Sequence, residues 1–143
     1  MMKRILTLLC CAVSVAALAG PLDEKKADAH LRAIAAGNVE ALMADYADDA
    51  YMDWVGGPLD GRYRGKAEIR EVWKKFVAAN DGQPRPARTG KLSARTNPKG
   101  VSLEIEAEYG GKTPLKAWHG LVYRDGMLTT EIWQIAPAIK LAD

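Results

Sequence analysis

The residues of this 143-residue chain that can do chemistry are few. Two carboxylates sit in alternating, strand-like stretches: Asp53 within 50–55 and Glu131 within 127–136. The two histidines are His30 and His119, and large aromatics stand at Tyr46, Trp54, Trp73, Trp118 and Trp133. A carboxyl group walled by apolar side chains is desolvated and its pKa raised, which suits general acid or base work. A histidine beside it can act as acid or donor. Glu131 and Asp53 are therefore candidate bases and His30 a candidate acid, while Tyr46, Trp54, Trp73, Trp118 and Trp133 are candidates to line a small-molecule pocket. Each has a plainer alternative. Glu131 can pair with a basic residue or lie at a wet sheet edge, His30 can be satisfied at the margin of the core, and the aromatics can simply be core.

Other chemistries find no support. No Gly-rich phosphate loop, serine elbow or dinucleotide fingerprint is present. Both cysteines, Cys10 and Cys11, fall in a leader-like segment: Lys3 and Arg4, then an apolar run from Ile5 to Leu18, then Ala17-Leu18-Ala19 as a cleavage signal. Residues 1–19 are expected to be a signal peptide and 20–143 a single domain in the periplasm or outside the cell. The mature chain would then have no thiol nucleophile and no thiolate metal site, and Asp45, Asp48 and Asp49 read as caps and solvated charge. No metal and no cofactor are expected. The 20 basic and 18 acidic residues become 18 of each once Lys3 and Arg4 are removed. That balance offers no footprint for nucleic acid, and no membrane contact is expected after cleavage.

The elements that must position these residues follow from periodicity. A helix is expected from Asp23 to Ala36, stopped by Gly37, and a shorter one capped by Asn38 and burying Val39, Leu42, Met43 and Tyr46. In the strand after it, Tyr51, Asp53 and Val55 face one way and Met52 and Trp54 the other. A third helix carries Ile69, Val72, Trp73, Phe76 and Val77 on one side. Strands then follow at 91–96, 101–109, 115–124 and 127–136, with Asp125-Gly126 as a two-residue hairpin. Taking Gly111-Lys112 as the preceding loop, Trp118 falls opposite Trp133 and beside Ile105, and Gly120 opposite Glu131. That register gives an apolar wall holding one carboxylate. It turns His119 to the outer face with Leu121 and Tyr123, and a single bulge would reverse the assignment. Helices followed by strands argue α+β: three helices packed on the concave face of a curved antiparallel sheet, forming a cone with a mouth.

Three stretches carry a family likeness. They are Gly37-Asn38 with Leu42 and Tyr46-Ala47-Asp48-Asp49-Ala50; Gly56-Gly57-Pro58 with Gly65-Lys66-Ala67-Glu68-Ile69-Arg70 and Trp73; and Tyr123-Arg124-Asp125-Gly126-Met127. In these the chain resembles the SnoaL-like, ketosteroid-isomerase-like members of the nuclear transport factor 2-like superfamily. The resemblance implies the cone fold. It also implies a choice among isomerases, cyclases, dehydratases, epoxide hydrolases and non-catalytic ligand-binding or dimerising modules. The isomerase's general base would fall on Trp54, one residue after Asp53, and its phenol donor near His30, so the isomerase machinery is not reproduced. The expectation is an exported module binding a small apolar molecule and forming a homodimer through the outer sheet face. The alternatives are a cofactor-independent proton-transfer enzyme using Glu131 or Asp53 with His30, and a dimerisation module with a filled core.

Overall fold

The structure is a computed structural model that describes residues 21–142, with side chains from Glu24 onward; the expected leader lies outside the described residues. Three helices come first: α1 (Pro21–Ala36), α2 (Val39–Asp45) and, after two strands, α3 (Gly65–Ala78). The strands are β1 (Tyr46–Val55), β2 (Gly61–Arg64), β3 (Ala87–Thr89), β4 (Ser93–Asn97), β5 (Gly100–Tyr109), β6 (Leu115–Arg124) and β7 (Met127–Ile135). They form one sheet in the order β2-β1-β7-β6-β5-β3, with β4 also on β5. All neighbours are antiparallel except β1 and β7, which run parallel. The expectation of a wholly antiparallel sheet is corrected at that pair. Parallel neighbours need a long crossover, and everything from β2 to β6 supplies it.

Local chemistry explains the helix ends. Gly37 adopts φ +67, and Asn38 N donates to Ala33 O (2.9 Å) while Gly37 N donates to Ile34 O (3.1 Å), a left-handed stop that suits glycine. Asn38 Oδ1 then accepts from Ala41 N at 3.1 Å and starts α2. The buried face of α3 is Ile69, Val72, Trp73 and Phe76, the helical stripe expected. Tyr46 opens β1 instead of closing α2, and the register of β1 on β7 slips between Tyr46 and Tyr51. The residue remains buried all the same.

Two one-residue differences in the last hairpins decide which side chains face inward. The β5–β6 loop spans five residues, 110–114, with Tyr109 paired to Leu115. It is held from α3's end by Asn80, whose Oδ1 accepts from Lys112 N (2.7 Å), and by buried Arg85, which donates to the carbonyls of Gly110 and Thr113 (both 3.0 Å). In β7 the Asp125-Gly126 turn pairs Arg124 with Met127 as expected, but Val122 pairs with Thr130 and Tyr123 with Leu128. Thr129 is the extra residue of a bulge, its Oγ1 donating to Val122 O at 3.0 Å. As a result His119 faces Trp133, Leu121 faces Glu131, and Trp118 faces Gln134. The expected pairs Trp118–Trp133 and Gly120–Glu131 are therefore corrected, and the inner face of β6 is His119, Leu121 and Tyr123.

Candidate functional site

The bulge at Thr129 keeps Glu131 and Trp133 on the concave face, and the shifted β5–β6 loop brings His119 beside them. From the other layer α1 contributes His30 and α3 contributes Trp73, while β1 contributes Tyr46 and Trp54. Glu131 is fully buried at the centre. Its Oε2 lies 3.1 Å from His30 Nε2 and accepts the Tyr46 hydroxyl, which in turn accepts from Trp73 Nε1 at 3.0 Å. Its Oε1 has no hydrogen-bond partner among the described residues, and His119 Nδ1 stands 3.7 Å from it. That separation is an electrostatic contact rather than a hydrogen bond. His119 Nε2 meets the Tyr109 hydroxyl at 3.0 Å. On the far side of His30, Nδ1 lies 3.3 Å from Asp45 Oδ2, which accepts from the Tyr123 hydroxyl at 2.6 Å.

The electrostatics differ from the sequence expectation. Burial by itself pushes the Glu131 carboxyl up, but the charge of His30 and the histidine contacts outweigh it and hold the group at about 2. Burial likewise pushes His30 down, and Glu131 and Asp45 together raise it to about 9. Glu131 is therefore ionised and His30 protonated at neutral pH. The expected raised carboxyl is corrected: the basic partner is present, contributed by α1 across a separation of 101 residues. His119 is lowered by burial and stays neutral. With the Glu131 carboxylate facing Nδ1, the favoured tautomer carries its proton there and accepts from Tyr109 at Nε2. The phenols of Tyr46 and Tyr109 are pushed well up, chiefly by burial and then by Glu131.

Around this centre the rings pack on one another. Trp54 stacks on Trp133 with centroids 4.6 Å apart, Trp133 stacks on Tyr109 at 5.3 Å, and Trp73 meets Trp54 and Trp133 edge-on. His119 stands edge-on against Trp133 at 4.4 Å. The expected lining residues Tyr46, Trp54, Trp73 and Trp133 are thus together, as an interlocked core. A separate surface groove of about 550 Å³ lies at the end of the sheet between Pro86, Tyr109, Leu115 and Ile135.

Two candidates lie elsewhere. Asp53 is on the outer face, accepting from the Tyr51 hydroxyl (2.8 Å) and Arg62 (3.0 Å), contacts that hold its carboxyl below the usual range. It is corrected as a candidate base of the interior, because the strand's alternation sends it away from Trp54. Trp118 is also on the outer face, its ring laid across Gly120, where an added Cβ would come within 2.8 Å of it. It is corrected as a lining residue of the interior by the same one-residue register difference. His119, Tyr109 and Asp45 are the members that the sequence reading placed otherwise or passed over. The signal for His119 was its period-two relation to Leu121 and Tyr123, both apolar enough to belong inside.

Comparison with known proteins agrees with this architecture. A cystatin-like-fold protein of unknown function from Nostoc punctiforme superposes with TM-score 0.68 at 15% identity, covering 85% of this chain and 96% of its own. An NTF-2-like protein of unknown function from Burkholderia xenovorans gives 0.65 at 18% identity, covering 85% and 88%. A putative calcium/calmodulin-dependent protein kinase type II association domain from Thiobacillus denitrificans gives 0.62 at 16% identity, covering 82% and 98%. No functionally curated protein matches the chain. The model of the SnoaL-like domain matches residues 27–129, a span that contains α2, α3, β1 to β6 and most of α1. The chain belongs to the SnoaL-like domain family of NTF2-like proteins.

Proposed function

We propose that this protein binds a small, largely apolar molecule that enters the cone by parting the packed rings and is anchored by one polar group. The observation that carries the proposal is three buried polar atoms on neighbouring strands without hydrogen-bond partners among the described residues: Glu131 Oε1, His119 Nδ1 and Trp133 Nε1. Buried polar groups in a purely structural core are nearly always satisfied. One acceptor and two donors left open inside an aromatic shell match a ligand that offers a hydroxyl or a comparable donor–acceptor head. The site is neutral as a whole across the His30–Glu131 pair, which favours an uncharged ligand. Native mass spectrometry of protein purified from its own host, repeated on Glu131→Gln and Trp133→Phe, tests this. A co-purifying small molecule retained by the native chain and depleted in both variants is expected. A native chain that carries nothing and takes up none of a panel of aromatic and alicyclic alcohols would sink the proposal.

A second reading rests on Glu131 being ionised, held at Oε2 and open at Oε1, with the His119 donor beside it: proton transfer next to a carbonyl. Glu131 is a weak general base for this, since the pairing with His30 lowers its proton affinity. Incubation of small ketones in D2O, followed by proton NMR, reports it through loss of the α-hydrogen signals. Exchange no faster than in buffer excludes it.

The outer face supports the expected homodimer. Registered rows run Arg62–Asp53–Ile132–Gly120–Glu104 and Val55–Gln134–Trp118–Glu106, with half-buried Ile132 and Trp118 at their centre and the charges of Arg62 and Glu104 met by Asp53 and Arg95. A two-fold axis through the middle would set the apolar centre of one copy against that of the other. The native mass measured in the same experiment, together with Trp118→Lys, decides the point.

A further inference from the structure

Asp45 ends α2, where a short helix hands over to β1, and the sequence reads it as one of three surface aspartates. The structure gives it three partners from two elements. Tyr123 of β6 donates its hydroxyl to Oδ2 at 2.6 Å, His30 Nδ1 of α1 lies 3.3 Å from the same oxygen, and Lys26 Nζ of α1 lies 3.9 Å from Oδ1. The side chains of His30, His119 and Glu131 are wholly buried, whereas that of Asp45 is 14% exposed. Lys26 also donates to the carbonyl of Gly126 in the β6–β7 turn, so α1 is tied to the sheet at this corner.

We infer that Asp45 is a positioning residue of the interior site: fixed by Tyr123, it holds the imidazole of His30 from the solvent side so that Nε2 meets Glu131. The geometry is that of an orienting carboxylate behind a histidine. One ring nitrogen faces the carboxylate at 3.3 Å, an ion-pair contact rather than a well-aligned hydrogen bond, and the other is thereby directed at Glu131. With both ring nitrogens facing carboxylates, His30 carries two protons. Glu131 then keeps its charge, commits Oε2 to His30 and Tyr46, and leaves Oε1 as the open acceptor. The significance of that acceptor rests on the ligand-binding reading above; the position and charge of His30 do not.

The groups around His30 are Asp45 of α2, Tyr46 of β1, Trp73 of α3, His119 of β6 and Glu131 of β7, with Lys26 on its own helix and Tyr123 of β6 reaching Asp45 behind it. Removing one of the two carboxylates facing an imidazolium lowers its titration midpoint by about one to three pH units. The test is NMR titration of the histidine rings in the ligand-free chain, comparing wild type, Asp45→Asn and Tyr123→Phe. In Asp45→Asn the amide oxygen can still accept the Tyr123 hydroxyl, so the fold is kept, and the His30 midpoint is expected to fall by at least about one pH unit. Tyr123→Phe leaves the charge but frees the carboxylate, and a smaller fall is expected. A folded Asp45→Asn protein whose His30 midpoint equals the wild-type value overturns the inference. Should Asp45→Asn not fold, an unchanged midpoint in Tyr123→Phe overturns it in the same way. Because no ligand enters the measurement, a lowered midpoint alongside failure to find any bound molecule would remove the ligand-binding reading and leave this one standing.

Discussion

The ion pair at the centre of the cone predicts a particular shape for stability against pH. His30 binds its proton more tightly in the folded chain, about 9 against an ordinary 6.5. Its contribution is therefore complete below 6.5 and is lost as pH rises through about 9. Glu131 behaves in the opposite sense, about 2 against an ordinary 4.5, so its contribution is complete above 4.5 and is lost as pH falls through about 2. The two shifts express one interaction and are not added. Taken from the histidine side, the span from 6.5 to about 9 corresponds to about 3 kcal/mol. This agrees in size with the 3–5 kcal/mol, roughly, for breaking a buried ion pair by removing one partner. The perturbation is Glu131→Gln, which keeps the shape and removes the charge. Urea unfolding followed by tryptophan fluorescence, from pH 3 to pH 10 for both proteins, gives the difference in unfolding free energy at each pH. A plateau of about 3 kcal/mol between roughly pH 4.5 and 6.5 is expected. The difference should shrink steadily as pH rises through about 9, where His30 loses its proton and Glu131 is left a buried carboxylate without its counter-charge. It should begin to shrink again toward pH 3. A difference that is constant across the whole range would refute the assignment of opposite charges to His30 and Glu131.

Three further outcomes follow from contacts already described. Tyr46→Phe removes a donor to Glu131 and an acceptor for Trp73 Nε1, and should cost about 1–3 kcal/mol in urea unfolding. Asp53→Asn touches only the outer-face contacts with Tyr51 and Arg62, so stability should change by less than about 1 kcal/mol and ligand retention not at all. Asn80→Ala leaves Lys112 N without its partner in the β5–β6 loop and should cost about 1–3 kcal/mol, with faster hydrogen exchange across residues 110–114.

Much of this protein is determined by local sequence. The 3.6-residue stripe of α3, the Asn38 cap, the Gly37 stop and the Asp125-Gly126 turn depend on neighbours a few positions away, and each is where that chemistry puts it. The alternation of β1, with Trp54 inside and Asp53 outside, is local in the same sense. What tertiary structure alone decided is the identity of the site. Strand side chains repeat with period two, so one extra residue exchanges the faces of a whole strand. Thr129 in its bulge and the five-residue loop pinned by Asn80 and Arg85 each supply such a shift, moving His119 inside and Trp118 outside. The charge state has the same origin. Glu131 was legible as a carboxylate among apolar residues, but whether burial raises it or a cation lowers it depends on His30, 101 residues away in the chain. Only packing α1 across the sheet brings the two to 3.1 Å, and at that distance in a dry interior the charge outweighs the burial.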